Sequence, residues 1–333
     1  MTWLHFCREM NLKKLYMRDR KMDQYKIRKA AVTGGSGGVG TALIQKLLSE
    51  NVEVTVFQRK DSKRKNNLPV HRLLKIEYCS LEELKDYCPK ETGYDVFFHL
   101  GWANTQREMR DNIDEQNKNV IYSCYAVEAA RKMGCHTFIG AGSQAEYGRC
   151  EKSLDEDTLC EPETAYGVMK LCACYTTKIL CERYHIRHIW TRILSGYGKF
   201  DNPDSMLISN IINSIEKKPL AFSKAEQIWD FVYMDDIASA MFLLAQSEKS
   251  GGIYPIGSGE ARPLKEYIDI LCEKLGENPN EFIGKVPYSD KQIMHLEADI
   301  SKLYRDTGWQ PEISFEEGIE RVIKFEKEKR SHK

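Results

Sequence analysis

The stretch AVTGGSGGVGT at residues 31–41 constrains the fold more than any other part of the chain. Gly34, Gly37 and Gly40 are spaced G-x-x-G-x-x-G. An apolar run at 27–33 precedes them. An amphipathic helix follows, with Ala42, Leu43, Leu47 and Leu48 spaced for one face. A strand, a tight turn and a helix in that order leave free N–H groups and a positive dipole end at the helix start. Glycines there let the backbone approach a pyrophosphate closely. Gly34, Gly37, Gly38, Val39 and Gly40 therefore read as a dinucleotide cradle. The alternative is a plain flexible turn, which leaves the agreement of the flanking elements unexplained.

The same alternation continues. VEVTVF at 52–57, DVFFHLGW at 95–102 and HTFIGAG at 136–142 are apolar, β-rich runs, separated by helical stretches such as VIYSCYAVEAARKM at 120–133. Strands alternating with helices predict an α/β fold, a Rossmann-type doubly wound parallel sheet covered on both faces. After residue 193 the rhythm loosens. The reading is a dinucleotide-binding domain at 27–193, to which 228–258 returns, and a smaller C-terminal substrate-binding lobe at 194–325. Residues 1–26 read either as an amphipathic helix carrying Trp3, Leu4, Leu12, Leu15 and Tyr16, or as a leader with the domain starting near Met22. Residues 326–333 read as a solvated tail.

Composition excludes several classes. A chain of 333 residues with 42% hydrophobic and 29% charged side chains is not disordered. The 49 basic and 49 acidic side chains leave no basic excess for nucleic acid. No apolar window is long enough to span a membrane. Eleven cysteines without a Cys-x-x-Cys pair read as reduced thiols in a cytoplasmic protein. Cys181, His185 and His188 have helical spacing but lack a fourth ligand, so no metal site is expected.

Two further positions carry chemistry. The end of the second strand, where NAD-binding sheets place a carboxylate for the ribose, reads Gln58, Arg59, Lys60, with Lys63, Arg64 and Lys65 beyond. Arg59 is suited to pair with a 2′-phosphate, which favours NADP(H). A merely solvated basic loop would leave NAD(H). In PETAYGVMK at 162–170, Tyr166 and Lys170 are four apart and share a helix face. A neighbouring ammonium favours the phenolate of an otherwise weakly acidic tyrosine. FIGAGSQAEYG at 138–148 ends a strand on a hydroxyl, Ser143, where such sheets bind ligands.

Together TGGSGGVG (33–40), HLGW (99–102), GSQAEYG (142–148), YGVMK (166–170), WDFVYMDDIASA (229–240), YPIGSGE (254–260) and ADISKLYRDTGWQPEISFEEGI (298–319) resemble the extended short-chain dehydrogenase/reductase superfamily, in its NAD(P)-dependent nucleotide-sugar epimerase/dehydratase/reductase branch. The resemblance spans about residues 27–325. It implies Tyr166 as general acid/base, Lys170 as holder of the nicotinamide ribose that also lowers the tyrosine, and Ser143 as hydrogen-bond donor to the reacting oxygen. It implies Leu100, Gly101, Trp102 and Asn119 beside the cofactor, and a homodimer through helices that include 120–133 and 164–183.

The chain departs from the pattern in places. Sugar dehydratases carry acids directly after the hydroxyl; here Gln144 and Ala145 follow Ser143, and Glu146 comes one place later. Trp229 stands where an arginine often binds the substrate diphosphate, and Ser195 or Gly196 where an asparagine is usual. Gln144, Glu146, Ser195, Trp229 and Arg262 are the substrate-side candidates, with Lys224, Lys285 and Lys291 as other substitute cations. The expected function is an NADPH-dependent ketoreductase of a nucleotide-activated sugar. The alternatives are a 4-epimerase, a reductase of a non-sugar ketone, and a non-catalytic NAD(P) binder.

Overall fold

The computed structural model describes residues 25–105 and 109–331. The two readings of residues 1–26 lie almost wholly outside them. Seven parallel strands form the main sheet: β1 (Lys29–Thr33), β2 (Glu53–Gln58), β3 (Leu74–Tyr78), β4 (Val96–His99), β5 (Thr137–Ser143), β6 (Arg187–Ile193) and β10 (Gly252–Ile256), in the order β3-β2-β1-β4-β5-β6-β10. Val32 lies beside Val56 on one side and Phe98 on the other. The central strands are apolar throughout because both faces are covered.

Helix α1 (Gly38–Ser49) packs on one face together with α5 (Met234–Gln246). Helices α2 (Ile113–Met133) and α3 (Ala165–Arg183) pack on the other. The chain winds outward from β1 to β3, then back across β1 to β4, β5 and β6. The reversal between β1 and β4 opens a crevice at their carboxyl ends, where open sheets of this kind bind ligands.

The second lobe has a separate core. Short strands β7 (Ser195–Tyr197) and β9 (Phe231–Tyr233) pair in parallel, and β8 (Ile228–Trp229) pairs antiparallel with β11 (Arg262–Pro263). Helices α4 (Met206–Ile215), α6 (Leu264–Leu275) and α8 (Phe315–Ser331) close around Tyr197, Phe231, Tyr267 and Phe315, whose rings meet edge-on or tilted. The short α7 (Ser301–Thr307) packs back on α5. Asp230 stitches the lobe to the sheet. Its buried carboxylate accepts from the N–H groups of Ser258 (2.7 Å), Gly259 (3.2 Å) and Ala298 (3.1 Å), which draws three of the sequence motifs together.

The structure differs from the sequence reading at four points. Strand β3 went unread because it is a short edge strand: LKIEY alternates over only five residues, and Ile76 and Tyr78 stay exposed. Helix α2 begins at Ile113 rather than 120, since its first two turns, IDEQNKN, are polar; Asn112 caps it by accepting the Glu115 N–H at 3.1 Å. Of 228–258, only β10 joins the main sheet, while β8 and β9 pair elsewhere and α5 covers a face. The stretch read as a tail from 326 is helical to Ser331, with Glu326 buried and ion-paired to Arg330.

Candidate active site

The glycine turn sits at the crevice. Gly34 has φ +72°, and a Cβ there would stand 2.6 Å from the Gly101 nitrogen, so the turn after β1 touches the loop after β4. Gly37 is different. The nearest protein atom to a Cβ there is 3.5 Å away, so packing within the protein does not require glycine. Gly37 is also the N-cap of α1, and no side chain caps that end. Open space beside uncapped N–H groups suits a phosphate. Gly38 meets only the flexible Met234 side chain and the Lys199 carbonyl, and Val39 packs on the main core. The cradle therefore fits a dinucleotide.

A buried polar relay holds the facing loop. Thr33 Oγ1 is 2.8 Å from His99 Nδ1, His99 Nε2 is 3.1 Å from Ser123 Oγ, and Ser123 donates to the Asn119 carbonyl at 2.8 Å. Ser123 has one proton and gives it to Asn119, so Nε2 carries the imidazole proton and Nδ1 accepts from Thr33. Burial, then the nearby Lys170, pushes His99 down to about 3, which keeps it neutral. Thr33 Oγ1 in turn accepts the Gly101 N–H at 3.2 Å. Leu100, Gly101 and Trp102 are thus positioned on the cradle's far wall, with Trp102 Nε1 donating to Gln116 Oε1 at 2.8 Å. Asn119 corrects the expectation of a direct cofactor contact. Its amide accepts from Ala103 N–H (2.7 Å) and donates to the Ala103 carbonyl (3.1 Å), so it holds the loop.

Ser143, Tyr166 and Lys170 come together from β5 and α3. Thr164 caps α3 by accepting the Gly167 N–H at 3.1 Å, which fixes the first turn bearing Tyr166. Ser143 Oγ accepts the Ala145 N–H at 3.2 Å, leaving its own proton to donate. Lys170 Nζ is buried, donates to the Ala141 carbonyl at 2.6 Å and lies 3.9 Å from the Trp102 ring centre.

The cation bearing on Tyr166 is not the expected one. Lys170 Nζ is 5.8 Å from the tyrosine ring centre, whereas the Arg110 guanidinium carbon is 4.2 Å from it, and Tyr166 N–H donates to the Arg110 carbonyl at 2.8 Å. Burial raises Tyr166 above its ordinary pKa; Arg110 and the Ser143 hydrogen bond pull the other way. Arg110 belongs to no motif and lies 56 residues before Tyr166, and only the fold of the loop before α2 unites them.

Glu146 is corrected from a substrate candidate to a buried support. It and Arg192 are 0% and 1% exposed and pair at 2.8 Å. Glu146 also accepts from the Ser143 backbone N–H (2.8 Å) and Trp190 Nε1 (3.0 Å), and with Ser143 it forms a reciprocal capping box. Gln144 stays beside Ser143 with its Oε1 buried and unpartnered. Ser195 is half-buried in β7, beside Phe231. Trp229 packs between two apolar clusters, opposite Arg262 across the β8–β11 ribbon. The Arg262 guanidinium faces Glu316 (3.2 Å) and Glu260 (3.5 Å), so carboxylates of its own chain already occupy it. Lys291 donates to the Glu163 carbonyl at 2.8 Å. Arg59 is exposed, its side chain 66% accessible and 3.9 Å from Asp61.

Lys170 has a pH signature. Burial lowers it from 10.5 to about 7; Glu146 opposes that and Arg110 adds to it. Between pH 7 and about 10 the unfolded chain holds this proton and the folded chain does not. Stability of the dinucleotide-free protein therefore rises across that window on account of Lys170, by at most about 1.4 kcal/mol per pH unit. Lys170→Met is expected to be the more stable protein at pH 7 and below, with the gap closing toward pH 10. Denaturant midpoints of both proteins from pH 6 to 10 check this, and a gap independent of pH rejects it.

The chain is similar to several known proteins. The profile of the NAD dependent epimerase/dehydratase family matches residues 30–257. A putative UDP-glucose 4-epimerase of Methanocaldococcus jannaschii is 28% identical over 309 residues, covering 89% of this chain and 97% of that one. A dTDP-4-dehydro-6-deoxyglucose reductase of Escherichia coli is 24% identical over 310 residues, covering 88% and 96%. The solved dTDP-glucose 4,6-dehydratase of Streptomyces venezuelae, with NAD and TYD bound, superposes with a TM-score of 0.82 at 21% identity over 91% of this chain and 98% of that one.

Proposed function

The chain belongs to the NAD-dependent epimerase/dehydratase family of extended short-chain dehydrogenases/reductases, and from that premise we propose that it interconverts a hydroxyl and a keto group on a nucleotide-activated sugar, as a 4-epimerase. The observation that carries this reading is the pairing of Glu146 with Arg192. It leaves Ser143, Tyr166 and Lys170 assembled with no free carboxyl directly after Ser143, so water elimination lacks its acid and base.

Gly34, Gly37 and Gly38 would hold the dinucleotide, whose nicotinamide would supply a hydride acceptor and donor for the hydroxyl/keto interconversion. Tyr166 takes the proton from the substrate hydroxyl and gives it back to the carbonyl oxygen. Ser143 donates a hydrogen bond to that oxygen and steadies the charge developing on it. Arg110 and Lys170 supply positive charge that favours the phenolate when it forms. Trp102 and the loop fixed by His99 and Asn119 wall the site from water.

Epimerisation leaves no net redox change, which suits a dinucleotide held through many turnovers. The ketoreductase reading leaned on Arg59 and a dissociating NADPH, whereas the matching family is NAD dependent. It keeps support from the basic run Arg59–Lys65 and from the Escherichia coli reductase. Denaturing the purified protein and identifying the released nucleotide separates the two. About one equivalent of NAD(H) per chain is expected; an empty site that then takes NADPH in preference would favour the reductase.

A homodimer fits the outer faces of α2 and α3, where Ile113, Ile121, Val168, Tyr175 and Ile179 are exposed. The described cysteines carry free thiols, which suits a reducing compartment such as the cytoplasm.

A further inference from the structure

We infer that Arg110 is the positioning residue that sets the pH at which Tyr166 gives up its proton, in place of Lys170; this rests on the reading of Tyr166 as the acid/base. The first support is position. The Arg110 guanidinium carbon lies 4.2 Å from the centre of the tyrosine ring, against 5.8 Å for Lys170 Nζ. The segment bearing it is fastened to the start of α3 by two bonds. Tyr166 N–H donates to the Arg110 carbonyl at 2.8 Å, and Ala165 N–H donates to Asp111 Oδ1 at 3.2 Å. Among the described residues no carboxylate pairs with the Arg110 side chain, so its charge is not neutralised elsewhere.

The second support is persistence of charge. A guanidinium stays protonated at every pH where a tyrosine titrates. Lys170 does not, because burial brings it down to about 7; Glu146 opposes that and Arg110 adds to it. Its Nζ is also committed to other partners, the Ala141 carbonyl at 2.6 Å and the Trp102 ring at 3.9 Å. The remaining groups around the phenol cannot take the part. Burial raises Tyr166, and Arg110 leads the groups that oppose this. Ser143 offers a neutral hydroxyl, Trp102 meets the ring edge-on at 5.9 Å, and His99 is neutral. Glu146 and Asp111 carry charge of the wrong sign, and Arg192 pairs with the first at 2.8 Å.

The test reads the phenol itself. The full chain, saturated with NAD+, is titrated by phenolate absorbance, and the curve of its Tyr166→Phe variant is subtracted to isolate one ring among 17 tyrosines. Arg110→Met keeps the apolar stem and the backbone carbonyl but not the charge. Its Tyr166 midpoint is expected to rise by roughly 1–2 pH units, the effect of losing an opposite charge at this range. Arg110→Lys restores a charge without the flat stack and should shift the midpoint by less than about half as much. Lys170→Met should shift it less than Arg110→Met does. The acid limb of kcat/KM is expected to move with the midpoint while NAD+ affinity stays within a few-fold. Circular dichroism establishes that each variant is folded, and Arg110→Gln replaces the methionine variant if that one is not. An unchanged midpoint without the Arg110 charge, equal shifts for methionine and lysine, or a larger shift in Lys170→Met overturns the inference. The absorbance needs no substrate. The expected shifts in a protein that turns over no nucleotide sugar would uphold the inference and reject the proposed reaction.

Discussion

Tyr166→Phe is expected to lower turnover by about 10²- to 10⁴-fold, the range for removing a positioned proton donor and acceptor, while dinucleotide affinity stays within a few-fold of wild type. The substitution deletes one oxygen and keeps the ring. That ring packs edge-on against Trp102 at 5.9 Å and beneath Arg110, and both contacts survive. The backbone bond from Tyr166 to Arg110 is untouched, so the loop before α2 keeps its anchor. What disappears is the phenol proposed to exchange a proton with the substrate oxygen beside Ser143. Because the loss falls on the transition state, kcat should drop with little change in KM. Measuring kcat, KM and dinucleotide affinity on one preparation checks it. Turnover within about threefold of wild type would remove Tyr166 from the acid/base role.

Glu146→Ala is expected to destabilise the protein by about 3–5 kcal/mol, because it strands the buried Arg192 cation and removes the acceptor shared by Ser143 and Trp190. Glu146→Gln keeps the shape and one acceptor oxygen but not the charge, and should fall between. Combining Glu146→Ala with Arg192→Met should recover part of the loss, since neither charge is then buried alone. Equilibrium denaturation of the three variants tests this ordering. If Glu146→Ala costs less than about 1 kcal/mol, the pair is not what supports the end of β5. In the variants that remain folded, Ser143 is less firmly placed and kcat should fall more than KM rises.

The sequence by itself determined the architecture and which central groups come together. Strand-and-helix alternation around the glycine turn sufficed for the doubly wound sheet, because the need to bury both faces of a parallel sheet writes itself into local apolar runs. Ser143, Tyr166 and Lys170 were legible for a related reason: a strand end and one helical turn are local geometry. Where burial is weak the signal fades, as in edge strand β3 and the polar start of α2.

Partnership was decided only by the tertiary structure. Glu146 meets Arg192 across 46 residues, Arg110 meets Tyr166 across 56, and Asn119 holds Ala103. Arg59 and Gln58 are adjacent in the chain, yet one is turned to solvent beside Asp61 and the other is buried with an unused acceptor. Periodicity reports that a side chain faces inward or outward. It carries no record of which charge or donor another element brings to meet it, and for ionisable and hydrogen-bonding groups that neighbour sets the role.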